Sequence, residues 1–222
     1  MILHIANKNY SSWSLRPWVL LRELGVAFDE RMHPFGGEPF SAFSPTARVP
    51  CMHDGDIVVW DSLAIVEHVA ETHAQVWPTH PAARAWARSA AAEMHSGFGT
   101  LREQCSMSCG VRVELFGIDT ALQADLERVD RLWREGLARF GGPFLAGDRF
   151  TAVDAFFAPV AFRIQTYGLA LSTDSLAYAA RLLARPSMQS WYAEALRETW
   201  RDPPHDAEML RWGWVTADLR LG

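Results

Sequence analysis

The first eighty residues switch repeatedly between a two-residue and a helical spacing of apolar side chains. Ile2 to Ala6 reads as a short apolar strand. Leu15 to Leu24 carries a helical stripe that stops at Gly25, a residue suited to closing a helix. Val26 to His33 alternates again and predicts a second strand. Phe35 to Thr46 is rich in Gly, Pro and Ser, so a loop with at most one helical turn is expected. Val49 to His53 and Ile57 to Trp60 flank Asp54-Gly55-Asp56, a hairpin signal. Ser62 to Thr72 then sets Leu63, Ile65, Val66 and Val69 on one side of a helix. The order β-α-β-(α)-β-β-α predicts a thioredoxin-like domain built on a mixed four-stranded sheet.

From His73 to Pro81 the chain is polar and proline-containing, and this stretch is the candidate boundary between two domains, 1–77 and 82–222. Beyond it the pattern is helical. Trp86, Ala90, Met94, Phe98 and Leu101 form one stripe; Leu122, Leu126, Val129, Trp133, Leu137 and Phe140 form another. On the second stripe's polar side, Glu127 with Arg131 and Asp130 with Arg134 have the spacing of helical ion pairs. Thr151-Ala152-Val153-Asp154 has the form of a capping box ahead of the apolar run Phe156 to Phe162, with Pro159 expected to kink that helix. The predicted fold class is α+β with two domains, the second all-α.

Composition narrows the function classes. The chain has 222 residues, 49% apolar and 21% charged, as a globular protein with one large or two small cores would have. A net charge of -5 gives no basic footprint for nucleic acid. No run approaches the roughly 18 apolar residues of a membrane span. The amino terminus reads directly as a strand rather than as a secretory leader. Three cysteines, Cys51, Cys105 and Cys109, form no disulfide framework, and a reduced cytoplasmic setting is expected. No metal site is expected, because no histidine lies near Cys105 and Cys109 in sequence to complete a ligand set. There is no Cys-x-x-Cys for disulfide exchange.

Three polar stretches remain. Tyr10-Ser11-Ser12-Trp13-Ser14 lies between the first strand and the first helix. Taken alone, its serines serve equally as turn and N-cap residues. Ala47-Arg48-Val49-Pro50 carries an X-Pro bond, and Asp61-Ser62 opens the third predicted helix. In this order and spacing they resemble the glutathione-binding half of the cytosolic glutathione transferases, serine-type, in a zeta- or theta-like bacterial form. Ser11-Ser12-Trp13-Ser14-Leu15-Arg16 is similar to the zeta-like Ser-Ser-Cys-Ser-Trp-Arg. Ser44 to Pro50 looks like the family's Asn-Pro-x-Gly-Lys-Val-Pro, and Asp61-Ser62-Leu63-Ala64-Ile65 like its acidic Ser-x-Ala-Ile motif. Trp13 stands where the zeta pattern has cysteine, which counts against zeta-type isomerase chemistry.

The resemblance implies glutathione as co-substrate, no metal, a homodimer, and a small hydrophobic electrophile as second substrate. By the same match Ser11 stabilises the thiolate, with Ser12 beside it and Tyr10 as a rival donor. Arg48, Val49, Pro50, Asp61 and Ser62 hold the peptide, with a cis proline leaving Val49's backbone free for it. A thiol of pKa about 8.5 must drop by roughly two units to be mostly ionised at pH 7, about 3 kcal/mol. One hydroxyl donating to the anion supplies about 1.5–3 kcal/mol, and a helix N-terminus adds about 0.3–1 kcal/mol. The electrophile is expected between the domains, near Asn7, Trp13, Met94 and Phe98. Two other classes use the same residues: a non-catalytic glutathione-binding protein, and a glutathione-dependent isomerase or dehalogenase.

Overall fold

The computed structural model describes residues 1–221. Strand β1 (Ile2–Ile5) is followed by helix α1 (Ser12–Glu23), β2 (Asp29–Met32), β3 (Cys51–Asp54), β4 (Ile57–Trp60) and helix α2 (Ser62–Ala70). The sheet order is β2-β1-β3-β4. β1 runs parallel to β2, with Leu3 opposite Glu30, and antiparallel to β3, with Leu3 opposite Met52. The parallel pair needs a crossover, and α1 supplies it. Leu3, Ile5 and Met52 are buried beneath α1 and α2, as the alternation requires. β2 begins three residues later than the pattern suggests. The Val26 N–H returns to the Leu21 carbonyl at 2.9 Å, closing α1 around Gly25 at φ +67°. A single 3-10 turn (Phe40–Ala42) lies in the predicted loop.

The second part is built from α3 (Pro81–Ser96), α4 (Gly99–Gln104), α5 (Thr120–Phe140), α6 (Ala152–Tyr167), α7 (Thr173–Leu183), α8 (Pro186–Arg197) and α9 (Pro203–Leu210). The stripe from Trp86 to Leu101 is broken between α3 and α4. Gly97 closes on the Glu93 carbonyl, where a Cβ would come within 2.8 Å of the oxygen, and Phe98 takes φ +56°. The helical domain also carries a two-stranded ribbon that the helical pattern does not announce. β5 (Val111–Leu115) pairs antiparallel with β6 (Gly213–Asp218), burying Val111 and Val113. Trp214 lies half-exposed on β6. Its indole N–H donates to Glu114 at 3.1 Å and its ring meets Phe116 edge-on.

Helix α6 is the centre of the molecule, with every residue but Gln165 buried, and α1, α3 and α7 pack on it. Its capping box forms as the sequence predicts. The Asp154 carboxylate accepts the N–H of Leu145 at 3.0 Å, the N–H of Thr151 at 2.9 Å and the Tyr178 hydroxyl at 2.8 Å. Burial still pushes its pKa up to about 6 against those bonds. On α5 only part of the predicted ion pairing forms. Asp130 and Arg134 stand 4.0 Å apart, but Asp130 also accepts the Ser172 N–H, and Glu127 accepts Gln123 rather than pairing with Arg131.

The two halves are joined around Lys8, the only lysine in the chain. Its buried ammonium pairs with Glu30 at 2.6 Å and with Glu194, and sits 5.0 Å from the Trp18 ring and 5.4 Å from the Trp191 ring. Among the described residues no helix is long and apolar enough to cross a membrane.

Candidate functional site

A cleft of about 470 Å³ opens between the two halves. One wall comes from the start of α1 and the loop before β3, through Tyr10, Ser11, Ser12, Trp13, Arg48 and Val49. The other comes from Arg102, Ser106, Met107, Arg163 and the α9 residues His205 and Glu208. Four of the predicted site residues, Ser11, Ser12, Arg48 and Val49, therefore share one cavity. A larger recess of about 880 Å³ elsewhere holds none of them, and its Glu23 and Arg185 are already paired at 2.9 Å.

Ser11 occupies the N-cap position of α1 but makes no side-chain cap bond, so its hydroxyl is not consumed by the helix. The hydroxyl donates to Ser14 Oγ at 2.7 Å, and Ser14 Oγ accepts the Ala6 N–H at 3.3 Å. Ser11 and Ser12 are both almost fully buried at the cleft wall. The rival Tyr10 is committed elsewhere. Its hydroxyl donates to Asp206 at 3.1 Å and accepts from Arg220 at 3.0 Å. Burial, with the Asp206 carboxylate, raises its pKa above the ordinary phenol value.

Arg48 is exposed at the rim. The Val49–Pro50 bond is cis, and Val49 makes no backbone–backbone hydrogen bond among the described residues outside the regular elements. Pro50 is buried behind it, immediately before β3. Asp61 and Ser62 do not line the cavity itself; they adjoin it through His95, which is 3.5 Å from the Asp61 carboxylate and edge-on to Trp13 at 5.3 Å. Asp61 has φ +74°, a conformation costly for a side chain with a Cβ, and caps α2 by accepting the Leu63 N–H at 2.8 Å. Ser62 is completely buried and its hydroxyl has no partner among the described residues. An unpaired buried hydroxyl at a helix start suits an anionic group from outside the chain.

The expected neighbours of the second substrate are only partly in place. Trp13 lines the cleft, but Met94, on the buried face of α3 with Ala87, Ala90 and Ala91, and Phe98 are both in the core. Asn7 is buried with its side-chain oxygen bound to the Phe35 N–H at 2.8 Å. Arg102 and Arg163 take the places expected for apolar residues. The sequence did hold a signal for Arg163: a lone charge inside the apolar run of a fully buried helix is unusual and calls for a partner. Cys105 and Cys109 are both buried, and burial pushes the Cys105 thiol up to about 12. Among the described residues no cluster of His, Cys, Asp and Glu could hold a metal ion.

A chain that sets a serine-headed helix against an X-Pro loop and a helical second domain belongs to a recognisable class. Residues 10–72 match the model of the glutathione S-transferase N-terminal domain, and residues 84–194 that of the glutathione S-transferase C-terminal domain. The chain is a member of the glutathione S-transferase family. It is 25% identical to the glutathione S-transferase GstB of Escherichia coli over 192 residues, covering 78% of this chain and 76% of that protein. It is 26% identical over 176 residues to a probable maleylacetoacetate isomerase of Caenorhabditis elegans, covering 77% and 82%. A theta-class glutathione S-transferase from Xanthomonas axonopodis pv. citri, solved with glutathione bound, superposes with a TM-score of 0.64 at 25% identity, covering 86% of this chain and 96% of that one.

Proposed function

We propose that this protein conjugates glutathione to a small electrophile, with Ser11 holding the thiolate. The supporting observation is that Ser11 sits buried at the N-terminus of α1, on the cleft wall, free of any cap bond and backed by Ser14. When a thiolate arrives, the hydroxyl pair reverses: Ser14 donates to Ser11 and Ser11 donates to sulfur. That reversal loses no hydrogen bond within the pair, and the positive end of the α1 dipole faces the same anion. Ser12, whose hydroxyl has no partner among the described residues, is the second donor in reach.

The rest of glutathione is held as its own charges require. The Val49 backbone pairs with the peptide, and Arg48 faces the glycine carboxylate. Ser62 and the α2 N-terminus take the γ-glutamyl carboxylate, and Asp61 takes the ammonium group. The observation supporting this half is the unpartnered Ser62 hydroxyl. The bound form is a cytoplasmic homodimer, as is usual in the family.

Ser11→Ala tests the assignment. The bound thiol's pKa should rise by about one to two units, equivalent to roughly 1.5–3 kcal/mol. Conjugation at neutral pH should fall about 10–100-fold and recover as pH rises. Thiolate absorbance unchanged in Ser11→Ala but lost in Ser12→Ala would transfer the role to Ser12. Product analysis separates conjugation from isomerisation, since an isomerase consumes no net glutathione.

A further inference from the structure

Helix α6 is buried on all sides, yet it carries a guanidinium. Arg163 is 3% exposed and lines the cleft. Its Nε donates to the Cys105 carbonyl at 2.7 Å, but its Nη1 has no acceptor among the described residues. Two more arginines lie close to it, Arg102 on the same wall and Arg16 on α1, outside the cavity lining. Arg102, also lining the cleft, donates one bond to the His95 carbonyl at 3.1 Å and lies 5.4 Å from the Trp13 ring. Arg16, wholly buried, lies 4.1 Å from the Trp13 ring, and none of its three side-chain nitrogens has a hydrogen-bond partner among the described residues. Burial, followed by the charges of Arg163 and Arg102, holds Arg16 below its ordinary pKa, and burial with Arg102 does the same to Arg163.

The acids nearby do not neutralise these charges. Asp61 influences Arg16 and is occupied with capping α2, while Asp125 accepts the Leu101 N–H. Glu208 lies exposed at the rim. None of the three arginines makes an ion pair among the described residues. Burial also keeps His95 below its usual pKa, so it adds no competing donor charge at neutral pH. Buried guanidinium groups left without acceptors cost free energy that a planar anion would recover.

The geometry points to a carboxylate-binding subsite on this wall: the second substrate carries a carboxylate that sits on Arg163 and Arg102, its electrophilic carbon turned towards Ser11. This rests on the conjugation reading above and narrows it from an apolar electrophile to an acidic one. With an alkene acid ester as probe, the thiolate sulfur forms a bond to the alkene carbon β to the ester carbonyl. The alkene π pair moves into the ester enolate, which takes a proton from water, so the net change is addition of the thiol across the double bond.

The test uses the full chain and two kinds of probe. Calorimetric titration with succinate, with and without glutathione, should show binding that weakens about tenfold or more in Arg163→Gln and in Arg102→Gln, while glutathione affinity stays within about twofold. Relative to their uncatalysed rates, monomethyl fumarate should be accelerated about tenfold more than dimethyl fumarate, and Arg163→Gln should abolish the difference. No succinate binding, succinate binding in both variants as tight as in the wild type, or equal acceleration of the two esters overturns the subsite. A fall in glutathione affinity in Arg163→Gln also overturns it, by giving the arginine to glutathione's own carboxylate. Should Arg163→Gln not fold, the half-buried Arg102→Gln decides. If glutathione itself fails to bind but succinate binds in an arginine-dependent way, the conjugation reading fails and the anion site stands.

Discussion

Helices α6 and α2 each begin with an acid and a hydroxyl, and they use them in opposite ways. At the start of α6, Thr151 is in extended backbone, and the Asp154 carboxylate binds two backbone N–H groups, the Thr151 hydroxyl and the Tyr178 hydroxyl. At the start of α2, Asp61 is held at φ +74° and the buried Ser62 hydroxyl binds nothing among the described residues. The first arrangement spends its polar atoms on folding. The second keeps a donor unspent and tolerates a strained residue to present it, which is the mark of a site rather than a core.

The largest expected effect is on the satisfied end. Asp154→Ala leaves several buried donors without an acceptor and should destabilise the protein by about 3–4 kcal/mol. For a chain of this size that is roughly 6–16 °C in melting temperature. A small loss would mean the two helix starts differ less than their bonding suggests.

The raised Asp154 pKa gives a second measurement. Its value of about 6 lies above the ordinary 3.8, so the folded protein holds this proton more tightly than the unfolded chain. Stability from this group is therefore present below pH 3.8 and lost as pH rises towards 6. The advantage of the wild type over Asp154→Asn should grow by on the order of 2–3 kcal/mol as pH falls through that window, and be flat above it. Urea melts at several pH values would show it; a constant difference would place the carboxyl at its ordinary pKa.

Ser62→Ala sharpens the contrast from the other side. Removing an unpaired hydroxyl should change folding stability by no more than about 0.5 kcal/mol. Glutathione affinity should fall about tenfold, roughly 1.4 kcal/mol, by calorimetry. A large drop in melting temperature with unchanged binding would reverse the assignment. The smallest effect is expected from Asp61→Gly. Relief of the positive φ should raise stability by up to about 1 kcal/mol, offset by a few tenths for the lost cap, while glutathione binding weakens.

Local patterns in the sequence determined much of this molecule. The alternation of β1, the stop at Gly25, the Asp-Gly turn and the Thr151–Asp154 box are each decided by residues within a few positions of one another. They could be read without the fold, and so could the serine cluster and Asp61-Ser62, because helix starts are local events. Tertiary structure decided what depends on distant partners. The β5–β6 ribbon joins segments about a hundred residues apart, with no periodicity to announce the pairing. Packing placed Met94 and Phe98, two expected cleft residues, in the core, while Arg102 of α4 and Arg163 of α6 line the cleft. Whether a polar atom is spent or free, as at Asp154 and Ser62, depends on which neighbours the packing brings within hydrogen-bond reach, and short-range spacing carries no record of that.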